Sequence, residues 1–227
     1  MQILLLHGAI GAKDQLEPLA DLLKEQQEVH SLNFNGHGGQ PFSEKGFSIP
    51  VFAEEVKDWL EKHQLSSVNI FGYSMGGYVG MWLARQYPGL VRKIITLGTK
   101  YHWDEETAAK ELKMLDAEKI EEKLPAFAEQ LKQRHAPNDW KMVLEKTRNM
   151  LIGLGEKNAL QLSDYATIDI PALLLLGDKD KMVTREETVA VAKALPKGRF
   201  QLLVDTPHPV EQVNVEMLAI LIKDFFL

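Results

Sequence analysis

The sequence predicts an α/β fold with a mostly parallel central sheet flanked by helices, and three observations carry the prediction. Short apolar, β-branched runs alternate with segments of helical periodicity along most of the chain. The runs at 3–6 and 172–176 are apolar throughout, as strands covered on both faces tend to be. Proline, glycine and aspartate punctuate the junctions. At 227 residues, 45% of them hydrophobic, the chain is long enough to bury such a sheet.

The elements follow in order. Residues 3–6, Ile-Leu-Leu-Leu, form a first strand that opens into His7-Gly8-Ala9-Ile10-Gly11. A helix is expected at about 14–25, a strand at 28–34 and a helix at 50–63. Ser67-Val68-Asn69-Ile70-Phe71 gives a buried strand, and the helix at about 77–87 is stopped by Pro88 and Gly89. A strand at 93–97 follows. Pro171 leads into the strand at 172–176, a helix spans about 184–195, a strand 199–204, and a helix about 211–226. Alternation of this kind means βαβ units, with ligands at the carboxyl ends of the strands.

From about Tyr101 to Tyr165 the alternation stops. Leu112, Leu115, Ile120, Leu124, Phe127 and Leu131 recur at roughly helical spacing among Lys and Glu, and a second segment runs from Asn138 through Trp140, Val143, Leu144 and Met150 to Leu154. Residues 1–100 and 166–227 are thus expected to form the core, with 101–165 a helical lid inserted late in the sheet. Most of its apolar stripe packs on the core, while Trp103, Phe127, Trp140 and Met150 are the candidates to face a pocket.

The chemistry is concentrated in Gly72-Tyr73-Ser74-Met75-Gly76. A serine on a sharp strand-to-helix turn needs small neighbours, and the turn lifts its Oγ clear of the sheet at a helix N-terminus. A serine hydroxyl needs a base, usually a histidine oriented by a carboxylate. His208 lies in the loop Asp205-Thr206-Pro207-His208-Pro209 after a late strand, its backbone restricted by two prolines. The loop Gly177-Asp178-Lys179-Asp180 offers two carboxylates, Asp178 and Asp180, either of which could orient it; Asp180 is preferred. Asp205 is too near the histidine in sequence. Donors for a developing oxyanion are expected from the backbone N–H groups of Met75 and Ala9. His7 reads as a brace for the first loop, not as a base.

Composition narrows the field. The net charge of −6 gives no electrostatic reason to expect nucleic acid or an anionic membrane as partner. The chain has no cysteine, which excludes a thiol nucleophile or thiolate metal site and suits a cytoplasmic location. The opening apolar run is too short to insert in a membrane and lacks a basic flank. Scattered histidines without ligand spacing, and no phosphate loop or dinucleotide fingerprint, leave no metal or cofactor to be expected.

On His7-Gly8, Gly36-His37-Gly38, Gly72-Tyr73-Ser74-Met75-Gly76-Gly77, Gly177-Asp178-Lys179-Asp180 and His208, in that order, the chain resembles the α/β-hydrolase superfamily. The resemblance implies the α/β-hydrolase fold and a catalytic set of Ser74, Asp180 and His208, with Ala9 and Met75 as the oxyanion hole. It implies a serine hydrolase cleaving a small or medium carboxylic ester or related acyl substrate. Two positions depart from the pattern: Asn33 stands where relatives carry Asp, and Gln40 where many carry Ser. The elbow also resembles a menaquinone-pathway lyase family, which places a substrate-binding arginine after the two glycines; here that position is Tyr78. A carbon–carbon bond hydrolase or lyase using the same triad is the alternative, and a non-catalytic small-ligand binder the second.

Overall fold

The computed structural model describes residues 2–227. Strands β1 (Gln2–Leu6), β2 (Glu28–Ser31), β3 (Val68–Tyr73), β4 (Val91–Leu97), β5 (Ala172–Gly177) and β6 (Gly198–Leu203) form one sheet in the order β2-β1-β3-β4-β5-β6. Every neighbouring pair is parallel. The fold is the α/β-hydrolase fold expected from the sequence.

The apolar strands are buried on both faces, and their side chains split by parity. Leu4 and Leu6 of β1 join the core layer on one face, while Ile3 and Leu5 join the layer on the other. The second layer includes α1 (Glu17–Lys24) and α10 (Val215–Phe226), which lie against each other. The first layer includes α2 (Ile49–Lys62) and α3 (Met75–Gln86). Ser48 caps α2 by accepting the Val51 N–H at 3.2 Å.

Five helices lie between β4 and β5: α4 (Glu105–Leu112), α5 (Ala117–Lys123), α6 (Pro125–His135), α7 (Trp140–Glu156) and α8 (Leu162–Tyr165). Asp104, Asp116 and Asp139 cap α4, α5 and α7 by accepting first-turn N–H groups. All five helices fall in the interval where the strand–helix alternation of the sequence breaks. After β5, α9 (Arg185–Ala194) starts with a capping box in which Thr184 and Glu187 satisfy each other's backbone N–H groups.

Three expected elements change at their ends. The strand at 28–34 stops at Ser31. Beyond it the Phe34 N–H is taken by His7 Nε2 at 3.2 Å, so the chain leaves the ladder. The helix at 14–25 is a 3-10 turn, Lys13–Leu16, followed by α1. Pro18 cannot donate back to Asp14, which prevents one continuous helix. The helix at 211–226 is likewise a 3-10 turn, Val210–Gln212, then α10 capped by Asn214. Among the described residues no helix is long and apolar enough to cross a membrane.

Candidate active site

Ser74 sits between β3 and α3 at φ 49°, ψ −117°, a region a side-chain-bearing residue rarely occupies. Its backbone is pinned on each side. Ser74 N–H donates to Leu97 at 2.8 Å, and its carbonyl accepts the Gly77 N–H at 3.1 Å and the Thr99 hydroxyl at 2.9 Å. Such conformations persist where the surroundings over-determine them, commonly at functional sites. The loop after β1 packs directly on this elbow: a methyl group at Gly8 would lie 2.8 Å from the Tyr73 ring and 3.3 Å from Ser74 Cβ.

The loops after β5 and β6 converge beside it. His208 Nδ1 lies 2.7 Å from Asp180 Oδ2. The other oxygen of Asp180 accepts the N–H groups of Met182 and Val183 at 2.8 and 3.0 Å. Burial works against ionising Asp180, but the His208 contact and these two amides outweigh it, so its carboxyl titrates below the ordinary range. Both side chains are withdrawn from solvent, Asp180 at 1% exposed and His208 at 12%. Gly98, at φ 59°, lets the chain after β4 run under the pair, since a Cβ there would meet Asp180 Oδ2 and His208 Nδ1 at 3.2 Å.

The choice between Asp178 and Asp180 thus falls on geometry: Asp178 Oδ1 accepts the Thr206 N–H at 3.1 Å and is a turn residue. Asp205 pairs with Lys179 at 2.7 Å on the surface. His7 is fully buried, its Nδ1 bonded to the Gly8 carbonyl at 2.8 Å and its Nε2 to the Phe34 N–H, so it braces the loop as expected. Burial is the main reason its pKa falls to about 4. Ala9 and Met75 both line the cavity that holds Ser74, and no hydrogen bond from either backbone N–H to a protein acceptor is found among the described residues.

Ser74 and His208 line one cavity of about 380 Å³. Its wall is largely apolar, supplied by Met114, Leu115, Ile120, Leu124, Phe127, Met150, Leu151 and Leu154 of the insertion. Trp103, Phe127 and Met150 face it as expected. Trp140 does not, and that expectation is corrected: it is a buried core residue, 6% exposed. It shares a face of α7 with Thr147 and Leu151, but lies roughly 10 Å before Thr147 along the axis.

Several cavity residues escaped the sequence reading. Lys100 lies 3.4 Å from Glu111 and donates to the Met182 carbonyl. Arg134, 6% exposed, bridges Asp14 at 3.0 Å and Glu211 at 3.3 Å. Glu111 follows Ala108 by three residues and precedes Leu115 by four, so a charge on an apolar stripe was the available signal. Asn33, a departure from the family pattern, staples two loops: its Oδ1 accepts the Lys13 N–H at 2.7 Å while its Nδ2 donates to Gly38 at 3.1 Å. An ionised Asp could only accept.

The family model described as alpha/beta hydrolase fold matches residues 2–151, and the chain belongs to that family. Across 97 residues it is 30% identical to a probable alcohol acetyltransferase of Wickerhamomyces anomalus, covering 42% of this chain and 28% of the relative. The chain therefore spans under a third of the length of that relative. It is 25% identical over 248 residues to a pimeloyl-(acyl-carrier protein) methyl ester esterase of Neisseria meningitidis, covering 99% of this chain and 93% of the relative. Among solved structures, a putative lipase of Acinetobacter baumannii superposes with a TM-score of 0.84 at 20% identity, over 99% of this chain and 83% of that one.

Proposed function

We propose that this α/β-hydrolase enzyme is a serine hydrolase that cleaves a small or medium carboxylic ester, or a related acyl substrate, through an acyl-enzyme on Ser74. The observation that carries the reading is the buried Asp180–His208 pair at 2.7 Å, on the same cavity as a serine held at positive φ. Similarity along nearly the whole chain to a methyl ester esterase agrees with it.

In this mechanism Ser74 Oγ attacks the ester carbonyl and passes its proton to His208 Nε2. Asp180 Oδ2 accepts from Nδ1–H, fixing the tautomer and stabilising the imidazolium. The backbone N–H groups of Ala9 and Met75 receive the oxyanion. Collapse breaks the bond to the alcohol, which leaves with the proton from His208. Water, deprotonated by the same histidine, then releases the acid and regenerates Ser74. The apolar insertion serves as a lid that takes the acyl chain and excludes water from the reacting atoms.

The site gives less support to the lyase alternative. Tyr78 stands where that family carries an arginine, and its hydroxyl is committed to the insertion: it donates to Asn158 and accepts the Leu160 N–H at 2.9 Å. No cation is offered at that position.

Hydrolysis of nitrophenyl esters with two to twelve acyl carbons, by wild type and Ser74→Ala in parallel, tests the reading. A rate that peaks at one chain length and falls roughly 10⁴-fold or more in the variant is expected. Turnover within tenfold of the parent in Ser74→Ala would overturn it.

A further inference from the structure

The insertion reaches the candidate oxyanion loop through one side chain. His135, the last residue of α6, is fully buried. Its Nδ1 accepts the Gly38 N–H at 3.1 Å, which leaves the proton on Nε2, and Nε2–H donates to the Ile10 carbonyl at 3.0 Å. Both ring nitrogens are thus spent on backbone, one on each of two loops of the core. Adjoining residues anchor the same segment, Arg134 to Asp14 and Asn138 Nδ2 to the Gly36 carbonyl at 3.1 Å.

What His135 holds is a strained turn. Residues Gly8 to Gly11 close with the Gly11 N–H donating to the Gly8 carbonyl at 3.2 Å. Ala9 is its second residue, and Ile10, its third, lies at φ 52°. Positive φ at the third residue alone is the pattern of a type II turn, where glycine is the usual occupant. A β-branched residue there is a true outlier, and it lasts only while its surroundings enforce it. The hydrogen bond from His135 acts on the carbonyl of that residue, one position beyond Ala9, whose amide the serine-hydrolase reading assigns to the oxyanion.

We infer that His135 is a positioning residue: by holding the Ile10 carbonyl it keeps the Ala9 amide in place for the oxyanion, so that seating of the insertion and assembly of the oxyanion hole are one event. The inference rests on the serine-hydrolase reading of the site. Displacing a catalytic donor by about 1 Å is enough to cost on the order of 100-fold in rate.

The test compares wild type, His135→Ala, His135→Gln and Ser74→Ala on the preferred nitrophenyl ester. Binding of a trifluoromethyl ketone of the same chain length, which Ser74 converts to an anionic hemiketal, is measured beside it. In His135→Ala, kcat should fall tenfold to 100-fold with KM within threefold, and ketone affinity should fall by the same factor as kcat/KM. Gln, which can both donate and accept, should restore most of the loss. Adding Ile10→Gly to His135→Ala should also restore rate, because glycine adopts the turn unaided. If His135→Ala does not fold, His135→Asn, too short to span both loops, replaces it in the same measurements. A kcat within twofold of wild type, or a loss of kcat with ketone affinity unchanged, overturns the inference. Failure of the underlying reading appears separately, as retained turnover in Ser74→Ala.

Discussion

At Asp180 the two carboxylate oxygens have separate duties. One is held by the Met182 and Val183 amides, and the other faces His208 Nδ1. The amides fix the side chain's rotation, so only the second oxygen can set the histidine tautomer. Asp180→Asn keeps the shape and can keep an acceptor on the amides, but it then turns an NH₂ toward Nδ1. His208 would have to move its proton to Nε2, where it can no longer take one from Ser74. We expect kcat/KM to fall by about 10⁴-fold with little change in melting temperature, measured by ester kinetics and thermal unfolding. A loss below tenfold would mean that Asp180 does not orient the base. Ser74 and His208 were legible because each stands in a local pattern, an elbow of fixed spacing and a proline-flanked loop at a strand end. Which aspartate pairs with His208 was left to family resemblance, since two residues of one loop differ only in where they point. His135 lay beyond reach for another reason. It occupies an apolar stripe position of α6 behind Ala128 and Leu131, where histidine is ordinarily a core residue, and its partners are 97 and 125 residues away in sequence.

The elements themselves were largely legible, because β3 and β5 are buried along their whole length and such strands must read as continuous apolar runs. Their ends were less so: Pro18 and the capture of the Phe34 amide by His7 act through single hydrogen bonds that periodicity does not register. The elbow shows how tightly two elements can depend on one missing methyl group. Helix α3 leaves β3 beside the end of β1, and a Cβ on Gly76 would overlap the carbonyl of Leu6. That obstacle is backbone in the centre of the sheet and cannot rotate away. Gly76→Ala should therefore destabilise the fold by about 1–3 kcal/mol or more and abolish ester hydrolysis. Denaturant unfolding and ester kinetics read both effects. If the variant kept wild-type stability, the close approach of α3 to β1 would be wrong. The insertion was legible as a break in alternation, yet the direction of its aromatics was not. Trp140 and Met150 are both buried on one helix, about 80° apart around its axis and about 15 Å apart along it, and the sequence does not say which part of α7 meets the cavity.

At the scale of the whole molecule, three buried histidines join the sheet, the Gly-His-Gly turn and the insertion. His7 and His37 lie 5.1 Å apart between ring centroids, and His37 and His135 lie 5.8 Å apart. His37 Nδ1 bonds the Asn35 carbonyl at 2.9 Å, so each ring is tied to backbone, and His7 and His135 each have one ring nitrogen held as acceptor of a backbone N–H. Burial is the largest cause of depressed pKa in all three, and charge repulsion adds to it: His135 opposes His7, and Arg134 opposes His7 and His135. Asp14, the carboxylate facing the group, pulls the other way on His7 and His135 but does not reverse the shift. A histidine whose folded pKa is lowered binds fewer protons folded than unfolded at pH values between the two. Stability is therefore full above about 6.5 and declines as the pH falls toward the folded value. His7, lowered from 6.5 to about 4, alone accounts for about 3 kcal/mol across that window. His37 and His135 act in the same direction. Urea unfolding at pH 7, 6 and 5 should give a steadily falling unfolding free energy, over a range in which most carboxylates of ordinary pKa have yet to protonate. His135→Gln, which removes one titrating ring while keeping a donor and an acceptor, should flatten the slope. Unfolding free energies equal at pH 7 and pH 5 would mean that the cluster admits protons without loss. Because the rings span the loop after β1 and the end of α6, their protonation is also expected to unseat the insertion. Amide hydrogen exchange in α6 and α7 should then rise at a higher pH than exchange in the sheet strands, and the gap between the two midpoints measures how far the insertion opens on its own; the ester rate does not report it, because His208 must itself be unprotonated to act as base.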